Sequence, residues 1–311
     1  MMENLKVVFM GTPEFSVPIL DALIKNYNIV LVVTSPDAPY GRKKIMTACP
    51  VKKLALENNI DVFSPFNIKN DYDLIKEINP DIIITCAYGQ IIPEELLNIP
   101  KLGCINIHAS LLPKYRGGAP IHHALMNGDR ETGITLMYMD KGMDSGDMIV
   151  KEEIKINEED DIESLSQKLS LLGTKMIIEH LPNIIQGNCP REKQDESKVI
   201  FSPIIKREHE LIDFYQTNEE VYNLCRALSP APLPYFVING TEYKVAKCEK
   251  VKANGEVNTV TEVTKDSFTI MCSNGGIKIT RIKPFGKSIM NVRDYFNGFN
   301  KDSLIGAVVN K

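Results

Sequence analysis

The sequence predicts a doubly wound, mostly parallel α/β sheet followed by a small C-terminal β-barrel. Two observations carry that prediction. In the first half, short runs that are apolar over most of their length alternate with helical patterns, as a parallel sheet covered on both faces requires. Beyond residue 228 the signals become all-β. There Asn239-Gly240, Asn254-Gly255 and Asn274-Gly275 punctuate short alternating strands, and Asn-Gly is the strongest short hairpin signal.

Taken in order, Lys6–Met10 reads as a strand ending at Gly11, followed by a helical pattern through Ile19, Leu20, Leu23 and Ile24. Asn28–Thr34 is a second buried strand, Val51–Glu57 a helix and Asp61–Phe63 a short strand. Asp71–Ile78 is helical, and the isoleucine-rich Asp81–Thr85 is a central strand. Pro93–Leu97 opens a short helix; Cys104–His108 and Thr135–Met139 are further strands. Repeated βαβ units of this kind build an open sheet whose ligand site lies at the carboxyl ends of its strands. Ile162, Leu165, Leu169, Leu172, Met176 and Ile177 give Ile162–Ile185 helical spacing. The polar stretch 186–197, with Gly187 and Pro190, marks a linker. A helix near Asn218–Leu228 precedes about five short strands, the spacing of a small barrel. The expected organisation is a domain over 1–189, a linker at 190–205 and a barrel over 206–311.

Composition narrows the function. Hydrophobic residues make up 43% and charged residues 24% of 311, which excludes a disordered chain. No apolar run is long enough for a bilayer span, and no signal peptide is visible, so a cytoplasmic protein is expected. Seven scattered cysteines without a C-x-x-C pair read as free thiols. The net charge of −4 hides an asymmetry. Residues 1–205 carry 21 basic and 28 acidic side chains, residues 206–311 carry 15 and 12, and 242–293 alone carry 10 and 5. The basic surplus is where a phosphate backbone would settle.

Several motifs fail. Gly11-Thr12-Pro13-Glu14-Phe15-Ser16 has one glycine where a dinucleotide fingerprint needs three, and Pro13 removes a backbone donor. Gly286-Lys287-Ser288 lacks the first P-loop glycine, Arg281 standing there. His122 and His123 would diverge by about 100° on a helix, and Asp140, Asp144 and Asp147 lack calcium-loop spacing. No metal site is expected. What remains is Asn106 and His108, two apart on a strand and so on one face, with Ile105 and Ile107 on the other. A carboxylate from the turn-rich loop 140–147 brought beside them would orient the imidazole or take a proton. Asn, His and Asp without a nucleophilic Ser or Cys suggest direct acyl transfer, an amine attacking a bound carbonyl.

The run Asn106-Ile107-His108-Ala109-Ser110-Leu111-Leu112-Pro113-Lys114-Tyr115-Arg116-Gly117-Gly118-Ala119-Pro120 resembles the signature of the folate-dependent formyltransferases, and the 139–147 loop their second signature. Phe9–Phe15, the Pro36–Lys44 loop and Pro284–Met290 resemble the members that act on initiator methionyl-tRNA. The likeness runs nearly end to end. It implies a Rossmann-like formyltransferase domain, an OB-like barrel, and 10-formyltetrahydrofolate as formyl donor. It implies Asn106, His108 and Asp144 as the catalytic trio. Ser110, Leu111, Leu112, Pro113 and Asp140 would line the folate site, with Tyr88, Gly89, Gln90 and Ile91 beside the pterin. Arg42, Lys43 and Lys44 would meet the acceptor stem, and Lys278, Lys283 and Lys287 of the barrel the tRNA backbone. The loop departs from the family at Ala38, Tyr40 and Lys43, where a basic residue, a small one and a glycine are often found. Neither a membrane nor an obligate protein partner is implied. Two alternatives share the scaffold: a sugar N-formyltransferase, and a catalytically inactive tRNA-binding protein. The Arg42 loop and basic barrel disfavour the first, the intact trio the second.

Overall fold

The computed structural model describes residues 5–41 and 43–310. In chain order the first strands and helices are β1 (Val7–Gly11), α1 (Val17–Asn26), β2 (Ile29–Val33), β3 (Ala38–Tyr40), β4 (Ile45–Thr47), α2 (Pro50–Glu57), β5 (Val62–Phe63), α3 (Asp73–Ile78), β6 (Ile82–Cys86) and α4 (Glu94–Leu97). There follow β7 (Cys104–His108), β8 (Lys114–Arg116), α5 (Pro120–Met126), β9 (Glu131–Tyr138), β10 (Met148–Lys155), α6 (Ile162–Ile185) and β11 (Ile200–Phe201). Beyond these lie α7 (Asn218–Ala227), β12 (Tyr235–Ile238), β13 (Thr241–Val251), β14 (Val260–Val263), β15 (Phe268–Met271), β16 (Gly276–Pro284), β17 (Met290–Asn291) and α8 (Val292–Phe296).

The main sheet has the order β10-β9-β7-β6-β1-β2-β5. Its strands from β5 to β7 run parallel, while β9 runs antiparallel to both its neighbours, β7 and β10. The chain builds outward from β1 to one side, then crosses to β6 on the other, so the switch point falls between β1 and β6. Strand alternation feeds two apolar layers. Val8, Met10, Leu31, Val33, Ile83 and Cys104 point to one. Ile107 points to the other, where Gly173 of α6 approaches so closely that a Cβ would lie 3.1 Å from its side chain. Asn106 and His108 therefore leave the sheet on the face opposite Ile107, as the period of two demands.

The chain forms two compact units. One comprises the chain up to Pro120 with Glu131–Lys155 and Ser166–Pro203; the other comprises Ile121–Arg130, Ile156–Leu165 and Ile204–Lys311. Residues 190–203, which the sequence offers as a linker, instead belong to the first unit. β11 pairs with β8, and Glu192 bridges Met148 through two backbone hydrogen bonds of 2.8 and 3.0 Å. The second unit also takes in 156–165. The Arg226 guanidinium donates to the carbonyls of Asn157 and Asp160, and Lys250 pairs with Glu158. These are distant contacts that composition does not reveal.

The second unit is an antiparallel sheet, β12-β13-β16-β15-β14, with β17 on β16. It curls into a small barrel. Its edges are joined by the C-terminal residues: Val309 bridges Ile238 of β12, and Val308 bridges Thr259 just before β14. Phe236 anchors the core, stacked on Tyr243 at 5.6 Å and edge-on to Phe214 and Phe268. Asn239 and Gly240, at φ +51° and +74°, make the hairpin turn that the dipeptide predicts. Asn254-Gly255 does not make one: it joins β13 to β14, which are not neighbours in the sheet. All seven cysteines are free. Among the described residues no helix is long and apolar enough to cross a membrane.

Candidate active site

β7 delivers Asn106 and His108 to the carboxyl edge of the parallel strands, and the β9–β10 loop folds Asp144 back over them. Asn106 Nδ2 donates to Asp144 Oδ1 at 3.3 Å, and His108 Nδ1 stands 3.6 Å from the same oxygen. A carboxylate only accepts, so the Asn106 amide must present Nδ2 to it and Oδ1 to its other neighbour. That neighbour is the Thr85 hydroxyl, 2.9 Å from Asn106 Oδ1. The imidazole is oriented in the same way. Its Nε2 lies 2.9 Å from the Tyr115 carbonyl, which can only accept, so Nε2 carries a proton and Nδ1 faces Asp144. His108 is buried, with 5% of its surface exposed, whereas the Asp144 side chain keeps 19%.

Asp144 is held in an unusual backbone conformation, φ +48°, at the head of its loop. Its second oxygen accepts from the Gly117 amide at 2.9 Å. Gly117 has φ +121°, and a Cβ there would lie 2.8 Å from the Ser202 carbonyl, so this donor needs glycine. Gly146 is equally constrained, since a Cβ would collide with the Tyr138 carbonyl.

The other expected site residues fall as follows. Ser110 and Leu112 are buried: the Ser110 hydroxyl donates to the Lys114 carbonyl at 2.6 Å, and Leu112 N–H to Thr135 Oγ1 at 3.1 Å. Leu111 and Pro113 are half-buried. Tyr88 points into the apolar core; its hydroxyl has no hydrogen-bond partner among the described residues, and burial pushes the phenol up to about 12. Gly89, at φ +88°, faces open space. The Gln90 amide is tied to Ile68 N–H and the Pro65 carbonyl, while Ile91 is exposed. Asp140 accepts from Gly142 N–H and Ser145 Oγ, shaping the turn that carries Asp144. It also lines a cleft of about 770 Å³ beside Leu97, Cys104 and Met139. Met139 Sδ in turn lies 3.2 Å from the Thr85 hydroxyl, so the cleft adjoins the support of Asn106.

Arg42 lies outside the described residues. Lys43 and Lys44 are exposed on the turn between β3 and β4, where Lys44 N–H donates to the Gly41 carbonyl at 3.1 Å. In the barrel, Lys278 and Lys283 share β16 but stand five residues apart, which regular alternation would place on opposite faces. An irregularity between Ile279 and Arg281 shifts the alternation. Ile277, Ile279 and Ile282 all stay buried, and Lys278, Arg281 and Lys283 all lie outside the core. Lys287 is exposed over the Tyr295 ring, 5.3 Å from its centroid.

Metal-capable side chains come together away from this site. Glu152 of β10 and Glu179 and His180 of α6 have ligand atoms within 4.8 Å of one another, but Glu152 is already paired with Lys175 at 2.9 Å.

Residues 5–181 match the family model for formyl transferase, and residues 204–300 that for the formyl transferase C-terminal domain. The chain belongs to the formyl transferase family. Among relatives of this transferase family, the methionyl-tRNA formyltransferase of Bacillus subtilis (strain 168) is 46% identical over 299 residues, covering 94% of each chain. That of Staphylococcus epidermidis (strain ATCC 35984 / DSM 28319 / BCRC 17069 / CCUG 31568 / BM 3577 / RP62A) is 44% identical over 308, covering 98% of this chain and 99% of its own. A solved sugar 3N-formyl transferase, crystallised with dTDP and 5-N-formyl-THF, superposes with a TM-score of 0.67 at 23% identity, covering 93% of this chain and all of its own. An N-formyltransferase from Helicobacter canadensis gives the same TM-score and identity over 88% and 98%. These two show the shared fold.

Sequence reasoning missed Thr85, Tyr115 and Gly117 as partners of the candidate formyl-transfer trio. Thr85 had a signal: it is a polar residue near the carboxyl end of the apolar run next to β7. Tyr115 and Gly117 act through backbone atoms, which carry no side-chain signal. Thr85→Val keeps the shape and removes the hydroxyl that orients Asn106. It should lower kcat about tenfold, the effect of one mis-set hydrogen bond. An unchanged kcat at saturating substrates would remove Thr85 from this role.

Proposed function

We propose that this chain transfers the formyl group of 10-formyltetrahydrofolate to the α-amine of methionine on initiator methionyl-tRNA. The observation that carries the chemistry is the convergence of Asn106 Nδ2 and His108 Nδ1 on one Asp144 oxygen. Two donors and one proton acceptor in that arrangement match an amine attacking a carbonyl. His108 keeps its Nε2–H on the Tyr115 carbonyl, so a proton carried on Nδ1 is the one it directs at the reacting carbonyl. The amine nitrogen bonds to the formyl carbon, and the carbonyl oxygen becomes an oxyanion beside the Asn106 and His108 donors. Asp144 takes the proton that the amine must lose. The bond from carbon to N10 of the folate then breaks as N10 takes that proton back from Asp144, so N10 leaves as a neutral, weakly basic aryl amine and the carboxylate is restored. Holding two reactants in register supplies about 7–11 kcal/mol, and one oxyanion donor about 2.7–4 kcal/mol.

The open ground at Gly89, the loop Ser110–Pro113 and the cleft at Met139 and Asp140 support a folate site against the trio. For the acceptor, the support is the full-length identity to methionyl-tRNA formyltransferases and the outward row of Lys278, Arg281 and Lys283. Replacing Lys278, Lys283 and Lys287 by alanine should weaken tRNA binding and lower the slope of log K against log salt by about 2 to 3, one counterion per lost phosphate contact. An unchanged slope would take the barrel out of the interface.

The deciding experiment supplies 10-formyltetrahydrofolate with either methionine-charged initiator tRNA or a nucleotide-linked amino sugar, and measures formylated product. Formyl-methionyl-tRNA alone is the expected product. Formylated sugar without formylated tRNA would overturn the reading, as would tRNA binding without any transfer.

A further inference from the structure

We infer that Gln194 is a positioning residue for this active site, setting Asp144 by holding the backbone of its loop from behind. The inference rests on the formyl-transfer reading of the trio. Gln194 Nε2 donates to the carbonyls of Asp144 and Gly146, at 2.8 and 2.9 Å. Its Oε1 accepts from Arg116 Nε at 2.9 Å. The orientation of the amide is dictated by its partners: two carbonyls only accept and a guanidinium only donates, so no flip is possible. Arg116 is itself clamped by Glu196, with Nη2–Oε1 of 2.7 Å and Nη1–Oε2 of 3.2 Å. Gln194 and Arg116 are both buried, at 8% and 4% exposure, and the bonds of the Gln194 amide to Gly146 and Arg116 are shielded from competing water.

The geometry explains why a glutamine stands there. Asp144 sits at φ +48°, a conformation a non-glycine residue keeps only when its surroundings over-determine it. Gln194 supplies that determination by capturing two carbonyls of the same turn with one amide group. The same support reaches the carboxylate from its other side. Arg116 directly precedes Gly117, whose N–H holds Asp144 Oδ2, and Ser202 Oγ lies within hydrogen-bonding distance of the carbonyls of Tyr115 and Arg116. The Tyr115 carbonyl is the acceptor that orients His108. Segment 192–202 thus backs both the carboxylate and the imidazole, although none of the hydrogen bonds described for Gln194 goes to a side chain of the trio.

Two variants test this. Gln194→Met keeps the length of the side chain and removes all three hydrogen bonds. Gln194→Glu keeps the acceptor for Arg116 but turns a carboxylate oxygen toward two carbonyls. Both should lower kcat about 10- to 100-fold, the effect of a catalytic group displaced by about an ångström, with KM for folate and tRNA within about twofold. In an Asp144→Asn background neither should cost a further loss, because the residue acts through Asp144. The Gly117 amide resonance should move in Gln194→Met as it does in Asp144→Ala, and this readout needs no turnover. A wild-type kcat, a Gly117 amide that stays in place, losses that multiply with Asp144→Asn, or full activity in Gln194→Glu would each overturn the role. If the wild type formylated no methionyl-tRNA, the functional reading would fall, while the Gly117 resonance would still decide for or against Gln194.

Discussion

Asp144→Asn is expected to lower kcat for formyl transfer about 10²- to 10⁴-fold, the range for a lost general base, while folate binding and the unfolding temperature stay near wild type. The reason is geometric as well as chemical. Asp144 accepts at both oxygens, from Gly117 N–H at 2.9 Å and from Asn106 Nδ2 at 3.3 Å, with His108 Nδ1 at 3.6 Å. An asparagine offers only one acceptor oxygen. Its amide group must face either the Gly117 donor or the pair of Asn106 and His108, donor against donor. The amine would lose its proton acceptor and the two oxyanion donors their alignment together. Single-turnover formylation with pre-bound folate measures this step. A rate within about twofold of wild type would show that the proton leaves by another route.

His108→Ala should cost about 10²- to 10³-fold in kcat, the effect of removing one oxyanion donor, with folate affinity retained. His108 is buried and its Nε2 is committed to the Tyr115 carbonyl, so only Nδ1 is available to the reacting carbonyl. Alanine opens a void behind Asn106 and leaves the Tyr115 carbonyl without its imidazole donor, so a thermal melt must accompany the assay. His108→Gln serves as the second variant because it still offers a donor. Partial recovery in His108→Gln relative to His108→Ala would separate hydrogen-bond donation from packing. Near-normal turnover in His108→Ala with folate bound would end the assignment.

Much of the fold could be read locally. The strand Cys104–His108 and the helix Ile162–Ile185 appear with the predicted limits, because their apolar residues follow the periods of two and 3.6 that their backbones impose. The pairing of Asn106 with His108 on one face follows from the same period. What failed to read locally depended on partners far along the chain. Asn254-Gly255 looks like a hairpin, yet the sheet order gives β13 the neighbours β12 and β16. The stretch after Gly187 looks like a linker because it is polar, but its Gln194 amide is engaged with Arg116, Asp144 and Gly146. Polarity in a sequence does not say whether a group faces water or a distant carbonyl.

The amino-acid sequence by itself determined the α/β class followed by a barrel, the uneven charge of the two halves, and that Asn106 and His108 share one face of a strand. Each of these is written in short-range patterns: hydrophobic period, composition and contiguous motif. Only the tertiary structure decided how the trio is aimed. Thr85 on the neighbouring strand, the Tyr115 carbonyl, the Gly117 amide and Gln194 set the amide, the imidazole and the carboxylate. The strand irregularity that keeps Lys278 and Lys283 on one side of β16 is of the same kind. Hydrogen-bond direction and sheet register depend on groups brought together from remote positions. A one-dimensional pattern names such groups without saying which of them meet.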